Sequence, residues 1–225
     1  MAVAKGELKR VLFCAYLVYN ISMKTKELPK PIEKIHQLLE EQNGFFRTSD
    51  LSKLGIPSSY ITLLLERGDI KRVSRGLYTS DDIFLDDMLI LQTKFKNAIF
   101  SHETALFLLG LSDRNPLFFT LTVPSGYNAS GLKRNGAKVF FIKPKLLNLG
   151  LLSINSPFGN PIKTFDLERT ICDIVRNRNK VDIQIENQAL KSYVNHKDRN
   201  FNRLFEYATK LRVLKKVREI IKVLS

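Results

Sequence analysis

The sequence predicts an α+β fold: an N-terminal winged helix-turn-helix followed by a mixed α/β domain with a helical C-terminus. Three observations carry this. Between residues 31 and 80, three helix-forming stretches separated by turn signals run into two short β-forming runs. From 98 to 165, strand-like segments surround one apolar helix. After Asp166, apolar residues recur at helical spacing to the end of the chain.

Residues 31–42, PIEKIHQLLEEQ, open on a Pro suited to a helix start, and Ile32, Ile35, Leu38 and Leu39 follow a 3.6-residue period. Asn43-Gly44 ends that helix. Thr48 or Ser49 is a candidate N-cap for a short helix through Leu54, stopped by Gly55. Pro57-Ser58-Ser59 opens a third helix, Ser58–Arg67, stopped by Gly68. Two short runs follow, Ile70–Val73 and Leu77–Thr79, flanking a Ser-Arg-Gly turn. Helix, helix, turn, helix and hairpin, in that order, make a winged helix-turn-helix.

On the third helix, Ile61, Leu64 and Leu65 share a face and are expected inside. The opposite face carries Ser59, Thr62, Leu63 and Glu66, with Tyr60 and Arg67 on the flank. Small polar groups near a helix N-terminus suit a major groove, and Leu63 suits a thymine methyl. The candidate DNA-binding residues are therefore Ser58, Ser59, Tyr60, Thr62, Leu63 and Arg67 on the helix, with Lys71, Arg72 and Arg75 on the wing. A solvated hairpin with scattered charges is common, but the helices in front of this one favour a DNA contact.

The acidic run DDIFLDD (81–87) marks a boundary and the start of a helix to about Phe95. NAIFSHETALFLLGLSD reads as a short strand, an N-cap at Ser101 and an apolar helix ending at Gly110. PLFFTLTVP (116–124), KVFFIK (138–143), LLSIN (151–155) and PIKTF (161–165) read as strands. Three helical stripes follow: Leu167, Ile171, Ile174 and Val175; Ile185, Ala189, Leu190 and Val194; Leu214, Val217, Ile221 and Leu224. The expected organisation is an extension at 1–23, a winged helix-turn-helix at 24–80 and an α/β domain at 81–225 with basic C-terminal helices.

The 225 residues carry 36 Lys+Arg against 22 Asp+Glu, a net charge of +14. Such an excess points to a polyanionic partner, nucleic acid before membrane. Residues 163–225 hold 15 of the cations against eight acids, the most basic part of the chain. Lys5, Lys9 and Arg10 before the apolar run Val11–Tyr19 resemble a leader, but that run is too short to span a bilayer and no small-x-small cleavage site follows. No membrane partner and a cytoplasmic location are expected. The cysteines, Cys14 and Cys172, form no CxxC or Cys/His cluster.

Catalytic motifs are near misses. GYNASGLK (126–133) approaches a phosphate-binding loop, but Leu132 stands at the Lys place and Arg134 at the hydroxyl place, with a strand expected next. Ser101, His102 and Glu103 are triad residue types, yet sequential neighbours at a helix start are not expected to face each other. They read as a cap and a polar first turn. His36 and His196 are placed on polar helix surfaces, and neither has ligand-spaced partners. No cofactor, metal or catalytic residue is expected. Asp166 with Glu168, or Asp86 with Asp87, keep open a metal-dependent nuclease targeted by its winged helix. A plain transcriptional regulator is the other alternative. Arg212, Lys215, Lys216, Arg218 and Lys222 spread over the polar side of the last helix and form a candidate second nucleic-acid surface.

The order of four stretches resembles the AbiEi family, the antitoxins of AbiE-type abortive-infection systems. These are GFFRTSDLSKLGIPSSYITLLLERGDIKRVSRGLYT (44–79), FSHETALFLLGLSD (100–113), LTVPSG (121–126) and IKTFDLERTICDIVRN (162–177). The resemblance implies a phage-defence protein of a type IV toxin–antitoxin system. It implies a winged helix that represses its own two-gene operon at inverted repeats in double-stranded DNA. It implies a C-terminal antitoxin domain that counteracts a nucleotidyltransferase-like toxin without a stable complex. Position by position, the recognition helix is Ser58–Arg67 and the wing is Ile70–Thr79. No catalytic motif is carried over, and residues 1–23 lie outside the resemblance.

Overall fold

The computed structural model describes residues 29–81 and 85–224. The extension at 1–23 and Cys14 lie outside the described residues.

Helix α1 (Lys30–Glu41) buries the expected stripe of Ile32, Ile35, Leu38 and Leu39. Asn43 (φ 51°) and Gly44 (φ 84°) reverse the chain. A strand absent from the sequence reading, β1 (Phe45–Arg47), comes next. At three residues it is too short to show a two-residue period, and its first two side chains are both buried. Helix α2 (Thr48–Lys53) begins one residue earlier than a cap at Thr48 would allow. Its Asp50 carboxylate accepts the Arg47 N–H at 3.0 Å, so neither Thr48 nor Ser49 is the cap. Helix α3 (Ser59–Glu66), β2 (Ile70–Ser74) and β3 (Leu77–Ser80) complete the segment.

The strands form an antiparallel sheet in the order β1-β3-β2. Phe46 of β1 stacks on Tyr78 of β3 with centroids 5.4 Å apart. These two rings join α1, Leu51, Ile56, Ile61, Leu64 and Ile70 in one core. The β2–β3 register shifts between Arg72 and Ser74, so Val73 is the extra residue of a bulge. Gly76 adopts φ 75°, the left-handed turn position that a side chain would strain.

Asp86 caps α4 (Asp87–Lys94), accepting the N–H of Met88 at 3.0 Å and of Leu89 at 3.1 Å. Then come β4 (Ile99–Phe100), α5 (His102–Leu108), β5 (Thr120–Pro124), α6 (Ser130–Arg134) and β6 (Lys138–Ile142). Strands β7 (Leu151–Asn155) and β8 (Pro161–Phe165) match the sequence reading. The five strands run in the order β6-β5-β4-β8-β7, with β4/β8 and β5/β6 parallel and the other pairs antiparallel. The strand expected from residue 116 begins only at Thr120. Leu117 before it is 99% exposed and Phe118 about half exposed, with only Lys138 over its ring among the described residues, so β propensity there is not matched by an apolar surface to pack against.

Pleating assigns the two faces of this sheet. Leu121 and Val123 point with Phe100 and Ile162 toward Met88 and Leu91 of α4. Thr120 and Thr122 point the other way, where they hydrogen-bond Ser101 and Thr104 at the start of α5. Beyond α5 lies the larger core, built by α7 (Leu167–Arg176), α8 (Ile183–Asn195), α9 (Phe201–Lys210) and α10 (Leu214–Leu224). Helix α9, with buried Leu204 and Ala208, was not among the three stripes; its buried positions are too few to announce it against Phe201, Phe205 and Tyr207 spread around the helix.

The winged segment is joined to α4 by Phe45, Leu77 and Leu89, which pack together. Asn43 Nδ2 donates to the Gly159 carbonyl at 3.0 Å beside them.

Candidate nucleic-acid interface

Two core anchors orient α3. Ile61 and Leu64 are buried, which leaves Ser58, Ser59, Thr62, Leu63 and Glu66 exposed and Tyr60 half-buried against the core. Leu65 is a correction: expected inside, it is 36% exposed. It lies about 100° beyond Leu64, and on a helix anchored at positions 61 and 64 that step carries it past the edge of the buried face. With Leu63 at 41%, the outer face of α3 is more apolar than its serine and threonine imply.

The candidate cations divide into two kinds. Arg67 Nε pairs with Asp69 at 3.0 Å, and Lys71 Nζ pairs with Asp81. Arg72 and Arg75 are exposed, and their side chains make no hydrogen bond or ion pair among the described residues. The turn held by Gly76 presents Arg75 at the tip of the hairpin, one residue before that glycine. The Lys71–Asp81 pair is exposed on both sides, and such contacts are worth roughly 0–1 kcal/mol, so a phosphate competes for Lys71 at low cost, whereas Arg67 is held by a partly buried Asp69. His36 of α1 was placed on a polar surface. It is instead half-buried, and burial holds its pKa below the usual histidine value, partly offset by Asp69.

The second basic surface is also brought to the outside. Lys215, Lys216, Arg218 and Lys222 stand exposed on α10, whose Val217 and Ile221 face the core. Arg218 lies over the Phe205 ring at 5.8 Å. Arg212 does not belong to that helix. It sits in the α9–α10 connection with φ 60°, where its N–H meets the Thr209 carbonyl at 3.1 Å and the Val213 N–H meets that of Ala208 at 2.8 Å. That is a Schellman closure with arginine at the place glycine normally takes.

The residues weighed for catalysis are committed to structure. Ser101 Oγ and His102 Nδ1 do face each other, at 2.9 Å, contrary to expectation, because His102 adopts φ 47° and turns its ring back. Both side chains are buried, and the imidazole stacks on Phe140 at 3.6 Å, so this is a core contact and not a polar first turn. Burial first, and then Lys138 and Arg169, hold the His102 pKa well below the ordinary value. Asp166 caps α7 through the Arg169 N–H at 2.8 Å and accepts the Tyr207 hydroxyl at 3.2 Å. Glu168 accepts the Asn200 N–H at 2.8 Å and pairs with Arg203 at 3.2 Å. Asp86 accepts Ser156 Oγ at 2.5 Å and Asn160 Nδ2 at 2.9 Å beyond its capping role. The phosphate-loop near miss is followed by a five-residue helix and not directly by a strand, yet Leu132 is a core residue there. Among the described residues no group of three or more His, Cys, Asp or Glu is gathered as a metal ion would need.

The architecture is a helix-strand segment consistent with a winged helix-turn-helix, joined to a mixed α/β domain. Residues 33–80 match the family described as transcriptional regulator, AbiEi antitoxin. The match supports a DNA-binding antitoxin of the AbiEi family and bears out the sequence resemblance over those residues. Among solved structures, the fold is similar to the crystal structure of the RV2827C protein from Mycobacterium tuberculosis. The identity is 14% and the TM-score 0.52, over 82% of this chain and 73% of that one. No curated protein matches. Among the described residues no helix is long and apolar enough to cross a membrane.

Proposed function

We propose that the chain is an antitoxin that represses its own operon and counteracts a nucleotidyltransferase-like toxin, as in type IV systems. The observation that carries the DNA-binding part is the combination of α3, with Ser59 and Thr62 exposed near its N-terminus, and a wing whose Arg72 and Arg75 side chains are unpaired among the described residues. Ser58, Ser59, Tyr60, Thr62 and Leu63 meet base edges in the major groove. Arg67, Lys71, Arg72 and Arg75 hold phosphates and set the register. The segment to residue 80 reads DNA and the segment from 81 acts on the toxin. Lys215, Lys216, Arg218 and Lys222, with Arg212 beside them, add phosphate contacts along the same duplex.

The antitoxin part is tested by co-expression with the product of the adjacent gene. Growth rescued by the full chain, and by its α3 variants that no longer bind DNA, supports the reading. A toxic neighbour that is not relieved leaves a plain regulator in its place. Incubation of the protein with plasmid and Mg²⁺ or Mn²⁺ tests the nuclease alternative. Cleavage abolished by Asp166→Ala would replace the proposal.

A further inference from the structure

A cleft of about 330 Å³ opens where three segments of the C-terminal domain meet. Its walls carry Lys143, Lys145, Arg176, Lys210 and Arg212, with Leu146 and Leu211 and no carboxylate. We propose that this cleft binds a compact polyphosphate anion of the nucleoside-triphosphate class.

Lys143 and Lys145 flank Pro144 in the turn that ends β6. Arg176 is the last residue of α7, Lys210 the last of α9, and Arg212 follows the α9 closure. Five cations from three separate segments line one concavity, where a polyanion can meet several of them at once. A basic residue in the last turn of a helix complements its dipole, which accounts for Arg176 and Lys210. It does not account for Lys143, Lys145 or Arg212. Lys210 also pairs with Glu206 at 2.6 Å, while the other four have no hydrogen bond or ion pair from their side chains among the described residues.

The backbone that carries these cations is held in place. Behind the turn, the buried Arg169 donates from Nη1 to the carbonyls of Leu146 at 2.9 Å and Leu149 at 2.7 Å. Arg212 is held by the two closing hydrogen bonds of α9. The volume lies at the lower end of ligand sites, which span roughly 300–1,000 Å³. Cations from three segments lining one concavity fit a compact anion, whereas those on α10 lie along a single helix and suit a backbone running past.

The test is calorimetric titration of the full chain with ATP, tripolyphosphate and AMP, and a parallel titration with duplex DNA. The proposal expects saturable ATP binding, competition by tripolyphosphate, and AMP weaker by about tenfold or more, since two phosphates are missing. Lys145→Gln/Arg176→Gln and, separately, Lys143→Gln/Lys210→Gln each weaken ATP by about tenfold or more at unchanged circular dichroism. Arg72→Ala/Arg75→Ala leaves ATP binding unchanged, which separates this site from the DNA-reading proposal. The inference is overturned by AMP binding as tightly as ATP, or by no saturable binding. It is equally overturned if both cleft variants lose duplex affinity and keep their ATP affinity, because the cleft is then part of the DNA surface.

Discussion

Removing Arg72 and Arg75 together isolates the wing, because neither side chain has another partner among the described residues. No core group is uncovered, so folding stability should stay within about 0.5 kcal/mol of wild type. The expected loss is electrostatic. Each phosphate contact releases counterions and contributes about 0.9 to the slope of log K against log salt. Two lost contacts flatten that slope by about 1.8 per winged helix. Extrapolated from a molar reference to 0.15 M salt, the same loss weakens binding roughly 30-fold. Fluorescence anisotropy on a labelled duplex at four salt concentrations reads both quantities. The weakening should be nearly equal on a specific and a scrambled duplex, since phosphates carry no sequence information. An unchanged slope would remove the wing from the account. A loss confined to the specific duplex would move Arg72 or Arg75 from the phosphates to base edges.

Other consequences concern the frame around the interface. A Cβ on Gly150 (φ 70°) would stand 2.6 Å from Arg169 Cβ and 2.9 Å from Asp166 Oδ1. Gly150→Ala should therefore lose about 2–5 kcal/mol, from a left-handed backbone plus overpacking, and a urea titration checks it. His102 stays neutral when folded but titrates near 6.5 when unfolded, so the unfolded state binds the extra proton. Its contribution is complete above that pH and lost as pH falls, by up to about 1.4 kcal/mol per unit. Burial raises Asp166 and Asp173, which act with the opposite sign above their ordinary value of 3.8. They are common to wild type and His102→Gln, so the difference in slope between the two proteins below pH 6.5 isolates the histidine. Equal slopes would refute it. Thr62→Ala should relax preference among operator variants by about 1–3 kcal/mol at the contacted base pair while leaving the salt slope alone, as competition binding would read.

The legible parts of the fold were those whose signals are local. The stripe of α1, the hairpin with its Gly76 turn, and strands β7 and β8 rest on periodicity and turn chemistry within a few residues. The elements that escaped depend on distant partners. Strand β1 exists because Phe45–Arg47 pairs with Leu77–Thr79 across the segment. Leu65 is exposed because the hold of Ile61 and Leu64 sets the rotation of α3. At the site, spacing identified which cations could face outward, but it could not foresee that Asp69 and Asp81 engage Arg67 and Lys71. The cleft lined by Lys143, Lys145, Arg176 and Lys210 has no local signature, since its residues meet only after β6, α7 and α9 are packed.

The central claim is that α3 and its wing read a specific duplex. A footprint of the full chain on the DNA upstream of its own gene tests it most directly. The account predicts protection of an inverted repeat, with two half-sites about 10 base pairs or a multiple apart, and its loss in Ser59→Ala/Thr62→Ala at unchanged circular dichroism. Uniform protection at every concentration, or a footprint that survives those changes in α3, would contradict it.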